Sequence, residues 1–163
     1  MPLSFAVRSL PAQPISAEAF RPFGQVIAAA ADGKLFDRED AQLVLDRGTP
    51  RFYIMRLTRR GRQFSRITRH QQCTQCLGSL EGQPWLIAVA APTQSDRPPL
   101  EAIAAFQIPG NCFIKLEVGT WHAGPYFDQP SIDFYNLELS DTNDTDHQTC
   151  DLQIAYNTAI EII

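Results

Sequence analysis

From residue 51 onward the chain breaks into short apolar segments separated by turn-forming residues, and this pattern constrains the fold most. Phe52–Leu57, Phe64–Arg69, Thr74–Leu80, Trp85–Ala91, Ile103–Ile108, Cys112–Val118 and Ile132–Leu139 carry aliphatic, aromatic and β-branched side chains. Gly, Pro, Asp or Gln clusters bound each of them. The segments recur about every 10 residues with no long helical period between them, which predicts an all-β barrel or sandwich. At 163 residues the chain is expected to form a single domain, residues 1–163, long enough to bury a sizeable core.

The first fifty residues read differently. Ser16-Ala-Glu-Ala-Phe20 predicts a short N-terminal helix, with Ser16 as cap and Glu18 in the first turn. Pro22 and Gly24 end it, and Gln25–Ala28 can enter a strand. Residues 30–50 have weak periodicity and predict a loop with one strand near Ala41–Leu45. At the other end, Asp151–Tyr156 reads as a closing strand or a tail.

A net charge of −4 and a pI near 5.3 argue against nucleic acid as the main partner. The exception, Arg56-Leu-Thr-Arg-Arg-Gly-Arg62, reads as a hairpin turn with solvated arginines. No apolar run approaches the length of a membrane span. Met1–Phe20 is broken by Arg8, Pro11 and Pro14 and lacks the apolar core of a signal peptide, so the expected location is the cytoplasm. The four cysteines are then expected as free thiols.

Chemistry concentrates first in Glu117-Val-Gly-Thr-Trp-His-Ala-Gly-Pro-Tyr126. Gly119 and Gly124 bracket Trp121 and His122 after a strand-like run, and glycines there permit a tight turn or close approach to a ligand. His122 titrates near neutral pH in its ordinary state and suits proton transfer. The alternative is a core-filling Trp121 beside a satisfied, structural His122.

Arg69-His70-Gln-Gln-Cys-Thr-Gln75 comes second. In an unbroken strand Arg69 and Gln75 would share one face and His70 and Thr74 the other, so a turn at Gln71-Gln72 is needed to gather them. Cys73-Thr-Gln-Cys76 lacks the further ligands of a zinc site and the helix N-terminus of a redox pair. Asp141–His147 is acidic but lacks the Gly and Glu of a calcium loop, and reads as a solvated connector. No P-loop, G-x-S-x-G or dinucleotide fingerprint is present.

Ala19-Phe-Arg-Pro-Phe-Gly-Gln-Val-Ile27, Arg69-His70 followed by Thr74-Gln75, Trp121-His122 and then Asp133-Phe134 together resemble the ureidoglycolate lyase family. Gly119-Thr-Trp-His122 also resembles part of the second cupin motif. The resemblance implies a cupin-like β-barrel (a double-stranded β-helix), usually a homodimer. Its implied activity is cleavage of (S)-ureidoglycolate to glyoxylate and urea in purine (allantoin) catabolism. It also implies a divalent metal, nickel in particular, with His70 and His122 as ligands. Two departures stand out: Gln72 occupies the place of the second His in the first cupin motif, and Glu117 that of a proline.

The implied reaction needs a base for the hydroxyl proton, an acid for the departing urea nitrogen and a cation or N–H set for the carboxylate. His122 is the expected proton-transfer residue, His70 the second catalytic candidate and Glu117 the third. Arg69 or Lys115 would pair with the carboxylate; Gln75, Tyr135 and Asn136 would hydrogen-bond the ureido group; Trp121 would exclude water. Lys115 and Glu117 share a strand face, so a plain ion pair is the alternative for them. Two other readings stay open: a binding module for a small carboxylate without turnover, and another cupin enzyme such as an isomerase or dioxygenase.

Overall fold

The computed structural model describes residues 4–163. In chain order the elements are β1 (Ala6–Leu10), β2 (Ala12–Pro14), α1 (Ala17–Phe20), β3 (Gly24–Ala28), β4 (Pro50–Thr58), β5 (Gln63–Phe64), β6 (Arg66–Arg69) and β7 (Gln75–Ser79). Then come β8 (Gly82–Ala90), β9 (Ala104–Gly110), β10 (Cys112–Leu116), β11 (Trp121–Tyr126), β12 (Ser131–Leu139), α2 (Thr142–Thr145), β13 (Gln148–Asp151), α3 (Leu152–Tyr156) and β14 (Thr158–Ile162). The mainly β architecture expected from the segment spacing is the one observed.

The strands form three sheets, ordered β3-β10-β7-β12-β4, β13-β6-β11-β8-β9-β2 and β1-β14-β5. Strand β8 explains how they stack. Its Trp85, Ile87 and Val89 join Phe106, Ile114, Leu77 and Phe134 in a core between the five- and six-stranded sheets. Its Leu86, Ala88 and Ala90 enter a second core with Trp121, Phe64, Ile160 and Ile162 beneath the three-stranded sheet. A strand covered on both faces must be apolar at consecutive positions, which is why Trp85–Ala91 reads as an unbroken apolar run rather than an alternation.

Helix α1 forms as expected: the Ser16 hydroxyl accepts from the Ala19 N–H at 3.1 Å, and Phe20 is fully buried. Two expectations are corrected. Ala41–Leu45 is not a strand. It pairs with no strand, and isolated bonds hold it: Thr74 N–H donates to the Val44 carbonyl, Val44 N–H to the Thr74 hydroxyl and Gln42 N–H to Gln25 Oε1. Asp151–Tyr156 is not the closing strand either. The Asp151 carboxylate accepts from the N–H groups of Gln153 and Ile154, capping α3. The closing strand is β14, which pairs in parallel with β1.

Candidate active site

Sheet alternation sorts the candidate residues. Register pairs share a face. Lys115 pairs with Cys76, Leu116 with Gln75 and Tyr135 with Gly78. Leu116 lies in the core between the facing sheets. Gln75 and Asn136 therefore point inward, while Lys115 and Tyr135 point outward. On the outer face Tyr135 lies over Gly78, where a Cβ would come within 2.5 Å of its hydroxyl oxygen. Burial there raises its phenol pKa. Tyr135 and Asn136 thus cannot hold one ureido group together, because they are consecutive in a strand.

The inward side forms a narrow recess with no free space for a water-sized molecule, lined by His70, Cys73, Gln75, Glu117, Thr120 and His122. The turn needed at Gln71-Gln72 is present. Its N–H groups donate to the two carboxylate oxygens of Asp146, at 2.7 and 2.8 Å. The turn brings His70 and Gln75 together. Arg69 and Thr74 go elsewhere, the latter to Val44. Gly119, with φ +85°, donates its N–H to the His70 carbonyl at 2.7 Å, tying the two histidine segments together.

The rings of His70 and His122 are 5.0 Å apart between centroids. His70 Nδ1 lies 2.6 Å from the Asp146 backbone carbonyl. A carbonyl only accepts, so Nδ1 carries the proton and Nε2 keeps its lone pair. His122 Nδ1 faces the Thr120 carbonyl at 3.4 Å in the same sense. Burial lowers the basicity of both rings. For His122 burial and the neighbouring His70 bring the pKa down to about 3. Both are neutral imidazoles at pH 7, competent to accept a proton.

Besides Tyr135, three candidates lie away from the recess. Trp121 and His122 are consecutive in β11 and face opposite ways. Trp121 is fully buried in the core under the small sheet and donates to the Thr93 hydroxyl at 3.0 Å. It fills the core and does not wall the recess. Arg69 is on that same side, its guanidinium 4.4 Å from the Trp121 ring, donating to Gln148 Oε1 and the Thr93 carbonyl. Lys115 is buried on the outer face and paired with Glu117. Burial lowers its pKa, and the same burial pushes the adjacent Cys76 thiol up to about 11. Glu117 thus turns its carboxylate to Lys115, the ion-pair alternative left open above.

The sequence reading missed Asp146, His147, Glu138 and Tyr53. The Asp141–His147 segment is no mere solvated connector: Asp146 holds His70 and its turn, and the His147 ring lies 5.7 Å from that of His70. The acidic run was legible, but nothing local tells which carboxylate turns inward. Glu138 is 2% exposed, a burial that the alternation of β12 could have signalled.

A divalent metal would find His70 and His122 as nitrogen donors. Among the described residues no group of three or more His, Cys, Asp or Glu is arranged to hold a metal ion. Protein metal centres generally use at least three such side chains, so this donor set does not fit one.

A mainly β scaffold with paired neutral imidazoles in a recess between two sheets is what fold and site define. Residues 7–160 match the ureidoglycolate lyase family, and the chain belongs to that family. No curated protein matches it. Among solved structures, a dTDP sugar isomerase from Desulfovibrio desulfuricans G20 is similar at 12% identity with a TM-score of 0.49, over 80% of this chain and 85% of that one. No helix among the described residues is long and apolar enough to cross a membrane.

Proposed function

We propose that this protein cleaves (S)-ureidoglycolate to glyoxylate and urea, as a lyase of purine (allantoin) catabolism with a cupin-like barrel. Family membership over residues 7–160 supports the reading. The single observation that carries it at the site is the pair of neutral imidazoles 5.0 Å apart.

In this reading one imidazole Nε2 takes the substrate hydroxyl proton as the carbon–nitrogen bond breaks and the carbonyl of glyoxylate forms. The proton returns to the departing nitrogen, which leaves as urea, so the net change is transfer of one proton from oxygen to nitrogen. His122 is the proton-transfer residue. Its depressed basicity makes the protonated ring a strong donor to the leaving nitrogen. His70, locked by Asp146, is the second participant.

The test is a coupled assay of urea and glyoxylate released from (S)-ureidoglycolate, repeated after chelation. Equal release of both, surviving chelation, supports direct proton transfer. Loss on chelation reassigns both histidines to a metal. No release at any metal content overturns the lyase reading and favours a small-carboxylate binding module.

We also propose a cytoplasmic homodimer that covers the outer face of β4. Phe52 and Ile54 there are 70% and 63% exposed beside Tyr135. Exposed apolar side chains on an edge strand form a surface that a second copy can cover.

A further inference from the structure

Gln75 is a buried amide with one end satisfied and the other not. Its Nε2 donates to Asn136 Oδ1 at 3.0 Å and to Glu138 Oε2 at 3.3 Å. Its Oε1 is buried with no hydrogen-bond partner. An amide could be turned over to exchange the two ends, so the question is what fixes this orientation.

The answer lies in a ring of four side chains. Glu138 is buried and forms no ion pair among the described residues, and both its oxygens accept, one from Tyr53 and the other from Gln75. The Tyr53 hydroxyl must therefore point its hydrogen toward Glu138 Oε1, 3.4 Å away. Tyr53 Oη is left as an acceptor, and Asn136 Nδ2 donates to it at 3.1 Å. This turns Asn136 Oδ1 toward Gln75, where only an N–H of Gln75 satisfies it. One acceptor-only group thus sets the polarity of Tyr53, Asn136 and Gln75 in turn. The Arg51 guanidinium, stacked 3.7 Å over the Tyr53 ring, holds the phenol in place.

We propose that Glu138 is a positioning residue that presents Gln75 Oε1 as a fixed acceptor to the histidine recess, so that the site selects a ligand with an N–H donor, here the ureido end of the substrate. The inference rests on the lyase reading for the name of the substrate, but not for the donor preference. A site with an unpaired buried acceptor strongly rejects an analogue lacking the matching donor, because the acceptor then stays unpaired. The ureido group supplies N–H; a carboxylate of the same shape does not.

Two measurements test it. The first is binding, followed by the side-chain amide NMR signals of Gln75. The probes are N-carbamoylglycine, which carries a ureido group and no reacting hydroxyl, and succinate, which puts CH₂ and O in place of its N–H and NH₂. Wild-type protein is expected to bind N-carbamoylglycine at least about tenfold more tightly, the weight of one such hydrogen bond, and to shift the Gln75 signals. Glu138→Gln adds an N–H that lets the ring reverse and Gln75 turn over, so the preference collapses or inverts. The second is turnover: Glu138→Gln raises KM for ureidoglycolate about tenfold with a smaller change in kcat, and Tyr53→Phe has a weaker effect in the same direction. Equal affinity for the two probes in the wild type overturns the proposal, as does an unchanged preference in folded Glu138→Gln. A wild type that prefers N-carbamoylglycine but releases no urea sinks the lyase reading and leaves the acceptor assignment standing.

Discussion

The backbone carbonyl of Asp146 accepts the Nδ1–H of His70 at 2.6 Å, while the Asp146 carboxylate accepts the N–H groups of Gln71 and Gln72. A single residue from the segment after β12 therefore fixes both the tautomer of a candidate catalytic imidazole and the turn that carries it. Removing the carboxylate should loosen that turn. Asp146→Ala is expected to lower stability by about 2 kcal/mol, as charge-assisted hydrogen bonds are lost, and to reduce kcat at least about tenfold by freeing His70. Asp146→Asn, which keeps one acceptor, should recover part of both. Thermal unfolding and steady-state kinetics check this; an unchanged kcat in Asp146→Ala removes the positioning role.

His122→Ala and His70→Ala should each reduce urea release by about 10²–10⁴, the usual weight of general acid–base help. If His122→Ala retains near-wild-type kcat while folded, His122 is not the proton-transfer residue.

Both histidines resist protonation in the folded state, and the sign of the effect on stability follows. Below the ordinary imidazole pKa of 6.5 the unfolded chain takes up protons that folded His122 refuses until about pH 3. The unfolded state binds more protons over that range, so stability is full above about pH 6.5 and falls as pH drops. The slope should approach about 1.4 kcal/mol per pH unit for each refusing histidine. Denaturant titrations between pH 7 and pH 4 measure it, and His122→Phe should flatten the curve.

Arg69 was a candidate for the substrate carboxylate, and its surroundings predict a different phenotype. It is 4% exposed, donates to Gln148 and Thr93 and stacks on Trp121. Arg69→Ala leaves buried acceptors unpaired and should cost about 2–4 kcal/mol of stability. The midpoint of urea unfolding shifts accordingly, while KM of the protein that remains folded changes little. A large KM effect without loss of stability would return Arg69 to the substrate.

The homodimer proposal is checked by sedimentation. Wild-type protein should run at twice 18.2 kDa. Phe52→Glu with Ile54→Glu should give the single-chain mass with the fold intact, because both side chains already face outward. A wild type at the single-chain mass ends the proposal.

Local sequence by itself determined the strands between residues 50 and 139, because each segment's composition and flanking turn residues decide its conformation, but not β1, β2, β13 or β14, which were not legible in it. It also determined the Ser16 cap and the two segments that carry His70 and His122. Where a second partner was needed, local pattern misled. Ala41–Leu45 stays a loop held by isolated bonds to Thr74 and Gln25, and Leu152–Tyr156 was claimed for a helix by the Asp151 cap. Trp121 and His122 are adjacent in sequence, yet alternation sends one to the core and the other to the recess; the motif cannot say which until both sheets are in place. Only the tertiary structure could bring Asp146 under His70 and join Glu138, Tyr53 and Asn136 to Gln75, since these contacts span 61 to 85 residues of chain. Hydrogen-bond polarity around a buried carboxylate is a property of the closed ring of side chains, and no single segment contains it.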